Sequence, residues 1–542
     1  MTTTQPDEHP DGALVAQEQL LPFLLDPKSY PHRPKRVRLV QTHASFVFIA
    51  PPFVYKVKKA VNFGFLDFST PAKRLHFCER EVALNRRLAP STYLGVIPIT
   101  KHGGHFAFGQ EGPVVEYAVQ MRQLPDGHFL DQLLKRNGIG PRDLNRIARF
   151  LKDFYEAQQP TGEIRDWGRI DHLRISTDEN FRQTREFIGH TLSPAAAATL
   201  PFYTNRFYAR HARLFASRLR EGRILDCHGD LHLEHIHLTP RTLQIYDCIE
   251  FNDRFRYVDV ANDAAFLAMD LDYHKRSDLA RQFAIRMARA LHDDGMLRLM
   301  DFYKCYRAYV RGKVESLQSV AHAAPERQRR AGAERARRYF QLALRYAVAG
   351  SQPLVLVVMG GIASGKSNLA QALGAELGWE VFASDRIRKA AAGLPLYERS
   401  RVSARPQLYS RAMTSQVYQR LLEAATAQVK QGGSVILDAT YSLRSQREKL
   451  AKQFGSRGVA WCFLEAHASK AAVKQRLRAR EASSGEVSDA RLEDFAPLTQ
   501  RYQPPTELPR GHCFRISTTG PLEQSVAKAL LGLARLQVDA IT

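Results

Sequence analysis

The stretch LVLVVMGGIASGKSNLAQAL, residues 354–373, decides the fold of the C-terminal part of the chain. An apolar run precedes GGIASGKS (360–367), which reads G-x-x-x-x-G-K-S, and an amphipathic helical pattern follows it. The order of strand, glycine-rich loop and helix lets backbone N–H groups wrap a phosphate at the positive end of the helix dipole. A purely structural glycine-rich turn is the alternative, but pattern and context together favour a P-loop for a nucleoside triphosphate.

The P-loop pattern assigns separate tasks to its residues. Lys366 is expected to neutralise the outer phosphates, and the Ser367 hydroxyl to hold a magnesium ion. ATP and Mg²⁺ are therefore the predicted cofactors. The full set of predicted nucleotide-binding residues in the loop is Gly360, Gly361, Ser364, Gly365, Lys366 and Ser367.

Strands and helices alternate after the loop, which predicts a parallel sheet with its ligands at the carboxyl ends of the strands. Two such ends carry polar residues, ASDRIRK with Asp385 and Arg388, and ILDAT with Asp438. Asp385 can accept the proton of an acceptor hydroxyl or hold magnesium through water, unless it only caps a helix. Arg388 can hold an anionic substrate, and Asp438 is predicted to contact substrate at the same edge.

An arginine-rich segment, KQRLRAREASSGEVSDA (474–490), has the composition of a mobile lid. Arg476 and Arg480 are four residues apart, so a helix places both on one face, from which they can close over transferring phosphates. A solvated basic face is the competing interpretation.

These C-terminal features together resemble the small P-loop kinases, such as gluconate kinases, 5′-hydroxyl polynucleotide kinases and zeta-type toxins, over about residues 352–535. The resemblance implies that Asp385 is the general base and that Arg388 contacts the substrate. It also favours phosphate transfer over motor activity.

The stretch CHGDLHLEHIHL (227–238) carries four histidines around one aspartate. A metal site is one interpretation, although neither H-E-x-x-H nor H-x-x-E-H is present, and a set of structural loop histidines is another. The interpretation we favour uses Asp230 in a loop and Asp247 after the next hairpin, because kinases hold a catalytic base and a magnesium ligand in this order.

HGDLH followed by D-C-I-E, behind a strand-rich segment, resembles the aminoglycoside phosphotransferase and choline kinase group of protein-kinase-like enzymes over about residues 35–345. The resemblance implies that Asp230 is the catalytic base and Asp247 a metal ligand. Lys56 would pair with the nucleotide phosphates and Glu81 would anchor it from a helix. Lys58 and Glu79 are rivals for these two roles.

His235 is a departure from that group, which usually has an asparagine five residues after the catalytic aspartate as a magnesium contact. Imidazole can bind a metal but suits magnesium less well than oxygen donors do. His235 is therefore a predicted metal ligand, and it implies a shifted metal geometry, a different ion or a weakened catalyst.

The composition sets wider bounds on the chain. Its 542 residues, 44% hydrophobic and 25% charged, are typical of globular protein with more than one domain, and the net charge of +23 suits anionic partners. Six scattered cysteines, no signal-peptide pattern and no membrane-length apolar run predict a cytoplasmic protein without a membrane partner.

The expected fold is a multidomain α/β chain, a bilobal protein-kinase-like α+β domain followed by a P-loop α/β domain with a parallel sheet. The predicted divisions are a tail and short helix (1–34), an N-lobe (35–125), a helical C-lobe (126–346), a linker (347–353) and the P-loop kinase domain (354–542).

The function we favour from the sequence is a tandem ATP-dependent phosphotransferase whose two modules each act on a hydroxyl acceptor. In one alternative, the first domain is a degenerate nucleotide or ligand sensor that regulates the P-loop domain. In another, the acceptor is a nucleic-acid end, as the net charge suggests. The sequence leaves the acceptors and the oligomeric state open.

Overall fold

The computed structural model describes residues 17–109, 112–321, 324–397, 400, 403, 405–481 and 487–541. The chain forms two compact units. The first unit takes the described residues of 1–173 and 214–297, and the second those of 174–213 and 298–542. Each unit is described separately.

The strands fall in three groups along the chain, at residues 38–122, 224–259 and 354–517. In chain order they are β1 (Arg38–Gln41), β2 (Ser45–Ala50), β3 (Phe53–Lys58), β4 (Tyr93–His102), β5 (His105–Phe108), β6 (Val114–Arg122), β7 (Ile224–Asp226), β8 (Ile236–Leu238), β9 (Leu243–Ile245), β10 (Tyr257–Asp259), β11 (Leu354–Met359), β12 (Glu380–Ala383), β13 (Val435–Asp438), β14 (Ala460–His467) and β15 (Cys513–Ser517).

The helices dominate the middle of the chain. They are α1 (Leu21–Leu25), α2 (Pro71–Asn85), α3 (Leu130–Lys135), α4 (Pro141–Glu156), α5 (Gly162–Asp166), α6 (Ile170–Gln183), α7 (Pro194–Arg210), α8 (Ala212–Arg220), α9 (Val260–Tyr273), α10 (Ser277–Ala290), α11 (Asp294–Ser319), α12 (Glu326–Ala349), α13 (Lys366–Leu377), α14 (Ser384–Ala391), α15 (Arg405–Leu408), α16 (Arg411–Lys430), α17 (Arg444–Gly455), α18 (Lys470–Glu481), α19 (Phe495–Arg501) and α20 (Leu522–Ala540).

A six-stranded antiparallel sheet, in the order β1-β2-β3-β6-β4-β5, opens the first unit. Successive side chains of a strand point to opposite faces, so β3 divides its residues between two environments. Tyr55 and Val57 pack with Phe48 in an apolar cluster, whereas Lys56 and Lys58 share the other face. The alternation of β3 therefore places two lysines side by side.

Helix α2 lies against the sheet and begins at a clear N-terminal signal. The Thr70 hydroxyl accepts a hydrogen bond from the backbone N–H of Lys73, and Pro71 occupies the first helical position. Cys78 and Val82 pack with residues of β4 and β6, while Glu81 is buried on the same helix. The helix therefore presents a buried carboxylate within reach of the β3 lysines.

The helical part of the first unit contains a buried ion-pair group. The Arg218 guanidinium on α8 donates two hydrogen bonds to Asp259, at 2.7 and 2.8 Å, and a further one to Asp293. All three side chains are 1% exposed. Asp259 also caps α9 through the N–H of Ala261, so the group joins α8 to the start of α9.

A five-stranded parallel sheet, in the order β12-β13-β11-β14-β15, forms the centre of the second unit. Every residue of β11 is buried, as its unbroken apolar sequence predicts for a strand covered on both faces. Val355 and Val357 pack with Leu421 of α16 and Leu450 of α17. The parallel α/β sheet predicted after residue 354 is thus confirmed.

The grouping of helices differs from the predicted domain division. Residues 174–213 and 298–346, expected in the helical lobe 126–346, group with the second unit. Helices α7 and α12 pack against the C-terminal helix α20, where His211 bonds to the Val538 carbonyl. This long-range packing leaves no local trace in the sequence.

Local differences from the sequence pattern also occur. Strand β9 ends at Ile245, two residues before Asp247, which takes the left-handed conformation with φ 62°. Helix α12 runs to Ala349, into the expected linker, and stops at Gly350. Within the ranges that the structure describes, every helix is too short or too polar to cross a membrane.

Replacement of Arg218 by methionine is expected to destabilise the first unit by about 3–5 kcal/mol, because two buried carboxylates lose their cation. The exposed Arg220 on the same helix provides the control, and Arg220→Met should change stability by less than about 0.5 kcal/mol. Urea unfolding followed by circular dichroism measures both variants. Equal unfolding midpoints for the two would contradict this account.

Candidate functional site

The P-loop lies between β11 and α13, as its sequence predicts. Gly360 has φ 147°, and a Cβ at this position would stand 2.2 Å from the Ala466 carbonyl oxygen. Gly365 has φ 84° directly before α13. Both glycines are therefore required by the backbone path, and the loop ends at a helix N-terminus suited to phosphate.

Ser367, Lys366 and Asp438 form a polar group at the start of α13. Asp438 ends β13, which pairs directly with β11, and its carboxylate accepts a hydrogen bond from the Ser367 hydroxyl. Burial raises the pKa of Asp438, while the nearby Lys366 and the Ser367 hydrogen bond oppose this rise. The sequence predicted a substrate contact for Asp438, whereas its position beside Ser367 favours a role near the metal.

Two buried oxygen atoms at this loop have no hydrogen-bond partner among the described residues, Asp438 Oδ1 and Ser364 Oγ. A carboxylate oxygen next to a serine hydroxyl is a donor set that suits Mg²⁺. The residues therefore fit a magnesium-bound nucleotide, with Ser367 and Asp438 on the metal side and Lys366 on the phosphate side.

Asp385 and Arg388 lie on α14, which follows β12 directly. Since Ala383 at the end of β12 pairs with Asp438, Asp385 and Asp438 are brought to the same edge of the sheet. The Arg388 guanidinium donates a hydrogen bond to the Leu408 carbonyl at 3.0 Å and lies 4.7 Å from the Tyr409 ring centroid. Arg388 is thus largely engaged by the protein, although its buried Nε has no hydrogen-bond partner within the described segments.

Arg476 lies beneath the loop rather than in open solvent. Its guanidinium donates hydrogen bonds to the Ala363 carbonyl at 3.2 Å and to Thr518, whose hydroxyl in turn donates to the Ser364 carbonyl. Arg480 follows one turn later on α18, close enough to help lower the pKa of Arg476, although burial is the larger cause. Residues 482–486 of the predicted lid lie outside the described residues.

A charged cluster in the first unit gathers around Glu81. Lys56 Nζ lies 2.9 Å from Glu81 Oε1 and 2.7 Å from Asp247 Oδ1, while Lys58 Nζ lies 2.7 Å from Glu81 Oε2. Lys58 also pairs with Glu250. Glu81 therefore anchors both lysines that the sequence offered for this role.

Burial distinguishes Glu81 from Glu79, the two glutamates of α2 that the sequence offered as the anchor for the lysine. Glu81 is fully buried, whereas its rival Glu79 is exposed on the outer face of α2. Burial opposes the ionisation of Glu81, but Lys56 and Lys58 outweigh it and lower the pKa of this carboxyl. The ion pairs are thus kept charged in a buried setting.

Asp263 of α9 fixes the loop that carries Asp230 through hydrogen bonds to the loop backbone. The Asp263 carboxylate accepts hydrogen bonds from the backbone N–H of His228 at 3.0 Å and of Gly229 at 2.8 Å. Gly229 has φ 86°, and a Cβ there would stand 2.8 Å from the Phe255 carbonyl oxygen. Asp230, which follows, keeps a side chain that is 30% exposed and accessible to an acceptor.

His235 lies between Asp230, the predicted catalytic base, and Asp247, the predicted metal ligand. Its Nδ1 lies 3.0 Å from the Asp230 carbonyl oxygen, and its Nε2 lies 3.4 Å from Asp247 Oδ2. Burial, with a smaller contribution from His232, lowers the pKa of His235. Partial desolvation opposes the ionisation of Asp247, but the nearby Lys56 and His235 outweigh it and lower the pKa of this carboxyl.

The remaining histidines of the stretch have separate surroundings. The Nε2 of His228 donates a hydrogen bond to the Tyr246 carbonyl oxygen, and burial lowers the pKa of His228 to about 4. The Nε2 of His237 donates a hydrogen bond to the Pro125 carbonyl oxygen. His232 Nε2 lies 3.5 Å from Asp230 Oδ2. Asp230, His232 and His235 each place one potential ligand atom within 4.8 Å of the others.

Comparison with known proteins places the chain in a family. It is 32% identical over 493 residues to the uncharacterized protein Rv2004c of Mycobacterium tuberculosis (strain ATCC 25618 / H37Rv), covering 90% of this chain and 94% of that protein. The uncharacterized protein Mb2027c of Mycobacterium bovis (strain ATCC BAA-935 / AF2122/97) matches to the same extent. The chain belongs to the family of these mycobacterial proteins.

A family model described as an AAA domain matches residues 355–505. The match spans the P-loop and most of the parallel sheet of the C-terminal part. Among solved structures, a gluconokinase from Sinorhizobium meliloti 1021 is 20% identical and covers 35% of this chain and 95% of its own, with a TM-score of 0.26. The APS kinase CysC of Mycobacterium tuberculosis, solved with AMPPNP and APS, is 18% identical and covers 34% and 98%, with a TM-score of 0.25.

Several residues that build these sites were not identified from the sequence. Thr518 joins the P-loop to Arg476, Asp263 holds the Asp230 loop, and Glu250 pairs with Lys58. Asp263 did carry a signal, because it is a charged residue within the apolar run of α9, and buried charges require a partner. Thr518 carried none, since its contacts depend on β15.

Glu81→Gln is expected to lower the free energy of unfolding of the first unit by about 3 kcal/mol, because Lys56 and Lys58 lose a shared buried carboxylate. Glu79→Gln on the same helix is the matched control and should change it by less than about 0.5 kcal/mol. Chemical denaturation measures both. A larger effect at Glu79 would reverse the assignment.

Asp438→Asn is expected to raise the melting temperature at pH 7 while lowering nucleotide-dependent activity. A carboxyl with a raised folded-state pKa stabilises the fold below its unfolded pKa, and this contribution is lost as the pH rises. The gain from asparagine should therefore shrink as the pH falls toward about 4. Thermal scans from pH 4 to 8 test this, and a gain that grows on acidification would contradict it.

Proposed function

We propose that the chain is a tandem ATP-dependent phosphotransferase in which each unit transfers the γ-phosphate of ATP to a hydroxyl acceptor. The observation that carries the proposal is the group of Lys366, Ser367 and Asp438 at the P-loop. In this group a buried carboxylate oxygen of Asp438 would bind the metal ion that accompanies the nucleotide phosphates. The pairing of Lys56 with Glu81 and Asp247 supports the same chemistry in the first unit.

In the second unit the P-loop N–H groups and Lys366 would hold the phosphates, and Asp385 would act at the same sheet edge. Asp385 would take the proton of the acceptor hydroxyl while the oxygen of that hydroxyl forms a bond to the γ-phosphorus. The bond from that phosphorus to the β–γ bridging oxygen breaks, and ADP leaves. Magnesium, when bound, neutralises charge on the phosphate oxygens.

Arg388 and Arg476 would assist this step from the protein side. Arg388 positions the segment around Leu408 and Tyr409, and its Nε, which has no hydrogen-bond partner among the described residues, is the group we assign to an anionic acceptor. Arg476 braces the P-loop carbonyls, and Arg480 would lie nearer the transferred phosphate. Rigid positioning of this kind is the main source of catalysis in phosphate transfer.

In the first unit, Asp230 would serve as the base and Lys56 would hold the nucleotide phosphates. Asp230 is exposed enough to meet an acceptor, and its loop is fixed by Asp263. Lys56 is oriented by Glu81, as a phosphate-binding lysine needs to be. Asp247 and His235 would hold the metal.

A regulatory role of the first unit is the second candidate. One reason is that His235 stands in place of an asparagine. The other is the ion pair of 2.7 Å between Lys56 and Asp247, because it occupies two residues that would have to bind the phosphates and the metal of ATP. In this case the unit would sense a nucleotide without transferring phosphate.

Nucleic acid as the acceptor is favoured by the net charge of +23. Counterion release makes such binding fall steeply with salt, so RNA and DNA binding between about 50 and 200 mM salt tests this candidate. Binding that does not change over this range would exclude it.

ATP consumption by single-site variants tests the tandem proposal. Lys366→Ala is expected to lower the activity of the second unit, and Asp230→Asn that of the first, by at least about a hundredfold each. Each variant should leave the activity of the other unit unchanged. The exposed Lys452→Ala and Asp171→Asn are the controls with unchanged activity. Full activity in Asp230→Asn together with complete loss in Lys366→Ala would favour the sensor over the tandem enzyme.

A further inference from the structure

His235 is oriented in the way that metal-binding histidines usually are. Its Nδ1 lies 3.0 Å from the backbone carbonyl oxygen of Asp230, and a carbonyl oxygen only accepts hydrogen bonds. Nδ1 is therefore the protonated nitrogen, and Nε2 carries the free lone pair. A hydrogen bond from Nδ1 to a carbonyl fixes the ring and its tautomer in this manner at many metal sites.

The free nitrogen of His235 faces a carboxylate oxygen. Nε2 lies 3.4 Å from Asp247 Oδ2, while the other oxygen of Asp247 is taken by Lys56 at 2.7 Å. Two donors that bind one ion at about 2.2 Å each are about 3.1 Å apart when the angle between them is the 90° of octahedral coordination, which Mn²⁺ and Mg²⁺ share. The 3.4 Å between Nε2 and Oδ2 is thus close to the separation of two ligands of a single ion.

The exposure of the two side chains leaves room for further ligands. His235 is 12% exposed and Asp247 is 38% exposed, so the site is closed on the protein side and open on the other. Phosphate oxygens and water can complete the coordination from the open side. Two protein ligands are sufficient when a nucleotide supplies the rest.

The nitrogen donor determines which ion fits. Magnesium prefers oxygen ligands, whereas divalent ions of the transition series bind imidazole readily. We propose that the first unit binds a divalent transition-metal ion such as Mn²⁺ through His235 Nε2 and Asp247 Oδ2, in preference to Mg²⁺. The proposal rests on the phosphotransfer function for the phosphate oxygens that complete the site.

His232 offers a competing ligand set that the experiment must separate. Its Nε2 lies 3.5 Å from Asp230 Oδ2, and its ring centroid is 3.9 Å from that of His235. An ion among Asp230, His232 and His235 would occupy the catalytic base. An ion held by His235 and Asp247 leaves Asp230 available for the acceptor proton.

The test titrates the full-length protein, bound to a non-hydrolysable ATP analogue, with Mn²⁺ in excess Mg²⁺ and follows protein-bound Mn²⁺ by electron paramagnetic resonance. Electron spin echo modulation by ¹⁴N then reports a directly bonded imidazole. The P-loop site of Ser367 and Asp438 has only oxygen donors, so it contributes no such signal. The wild type is expected to bind Mn²⁺ with ¹⁴N modulation.

His235→Asn is expected to weaken Mn²⁺ binding by at least about tenfold and to remove the ¹⁴N modulation. The exposed His102→Asn is the matched control and should leave both unchanged. Asp247→Asn should weaken binding, whereas His232→Asn should retain both the affinity and the modulation. Circular dichroism verifies that each variant is folded.

Unchanged Mn²⁺ binding in His235→Asn, or loss in His232→Asn with retention in Asp247→Asn, would overturn the assignment. Failure of the phosphotransfer function gives a different result, since imidazole-bound Mn²⁺ would persist while Asp230→Asn left ATP consumption unchanged. Conversely, ATP consumption that depends on Asp230 without any ¹⁴N signal would exclude the proposed ion and leave phosphotransfer standing.

Discussion

Burying an ionised carboxylate costs several kcal/mol unless a cation or hydrogen-bond donors compensate it, and both sites are built under this constraint. In the first unit Glu81 is buried between Lys56 and Lys58. Lys56 also forms an ion pair with Asp247, and Lys58 forms one with Glu250. One carboxylate thereby fixes the sheet, helix α2 and the segment after β9 with respect to one another.

The second unit meets the same constraint incompletely. Asp438 receives one hydrogen bond from Ser367 and lies near Lys366, but its Oδ1 has no partner within the described residues. A fully compensated carboxylate would have little affinity left for a metal. Burial raises the pKa of Asp438 because this compensation is incomplete.

In the proposed function the two units would bind phosphate by different physical means. The P-loop would use backbone N–H groups and a helix N-terminus, so its geometry follows from glycines at Gly360 and Gly365 that permit the required φ angles. The first unit would use side chains from distant segments, with Lys56 on β3, Glu81 on α2 and Asp247 after β9. The second arrangement depends on tertiary packing for every contact.

The sequence by itself determined the P-loop, the parallel sheet, helix α2 and the order of Asp230 and Asp247, because each rests on local pattern: residue periodicity, glycine spacing or a short motif. It favoured Lys56 and Glu81 but left Lys58 and Glu79 as rivals for their roles. Only the tertiary structure showed that Glu81 is buried between both lysines while Glu79 faces solvent. Tertiary structure alone also grouped α7 and α12 with the second unit and placed Asp438 beside Ser367, since contacts between residues far apart in the chain depend on packing that no local pattern encodes.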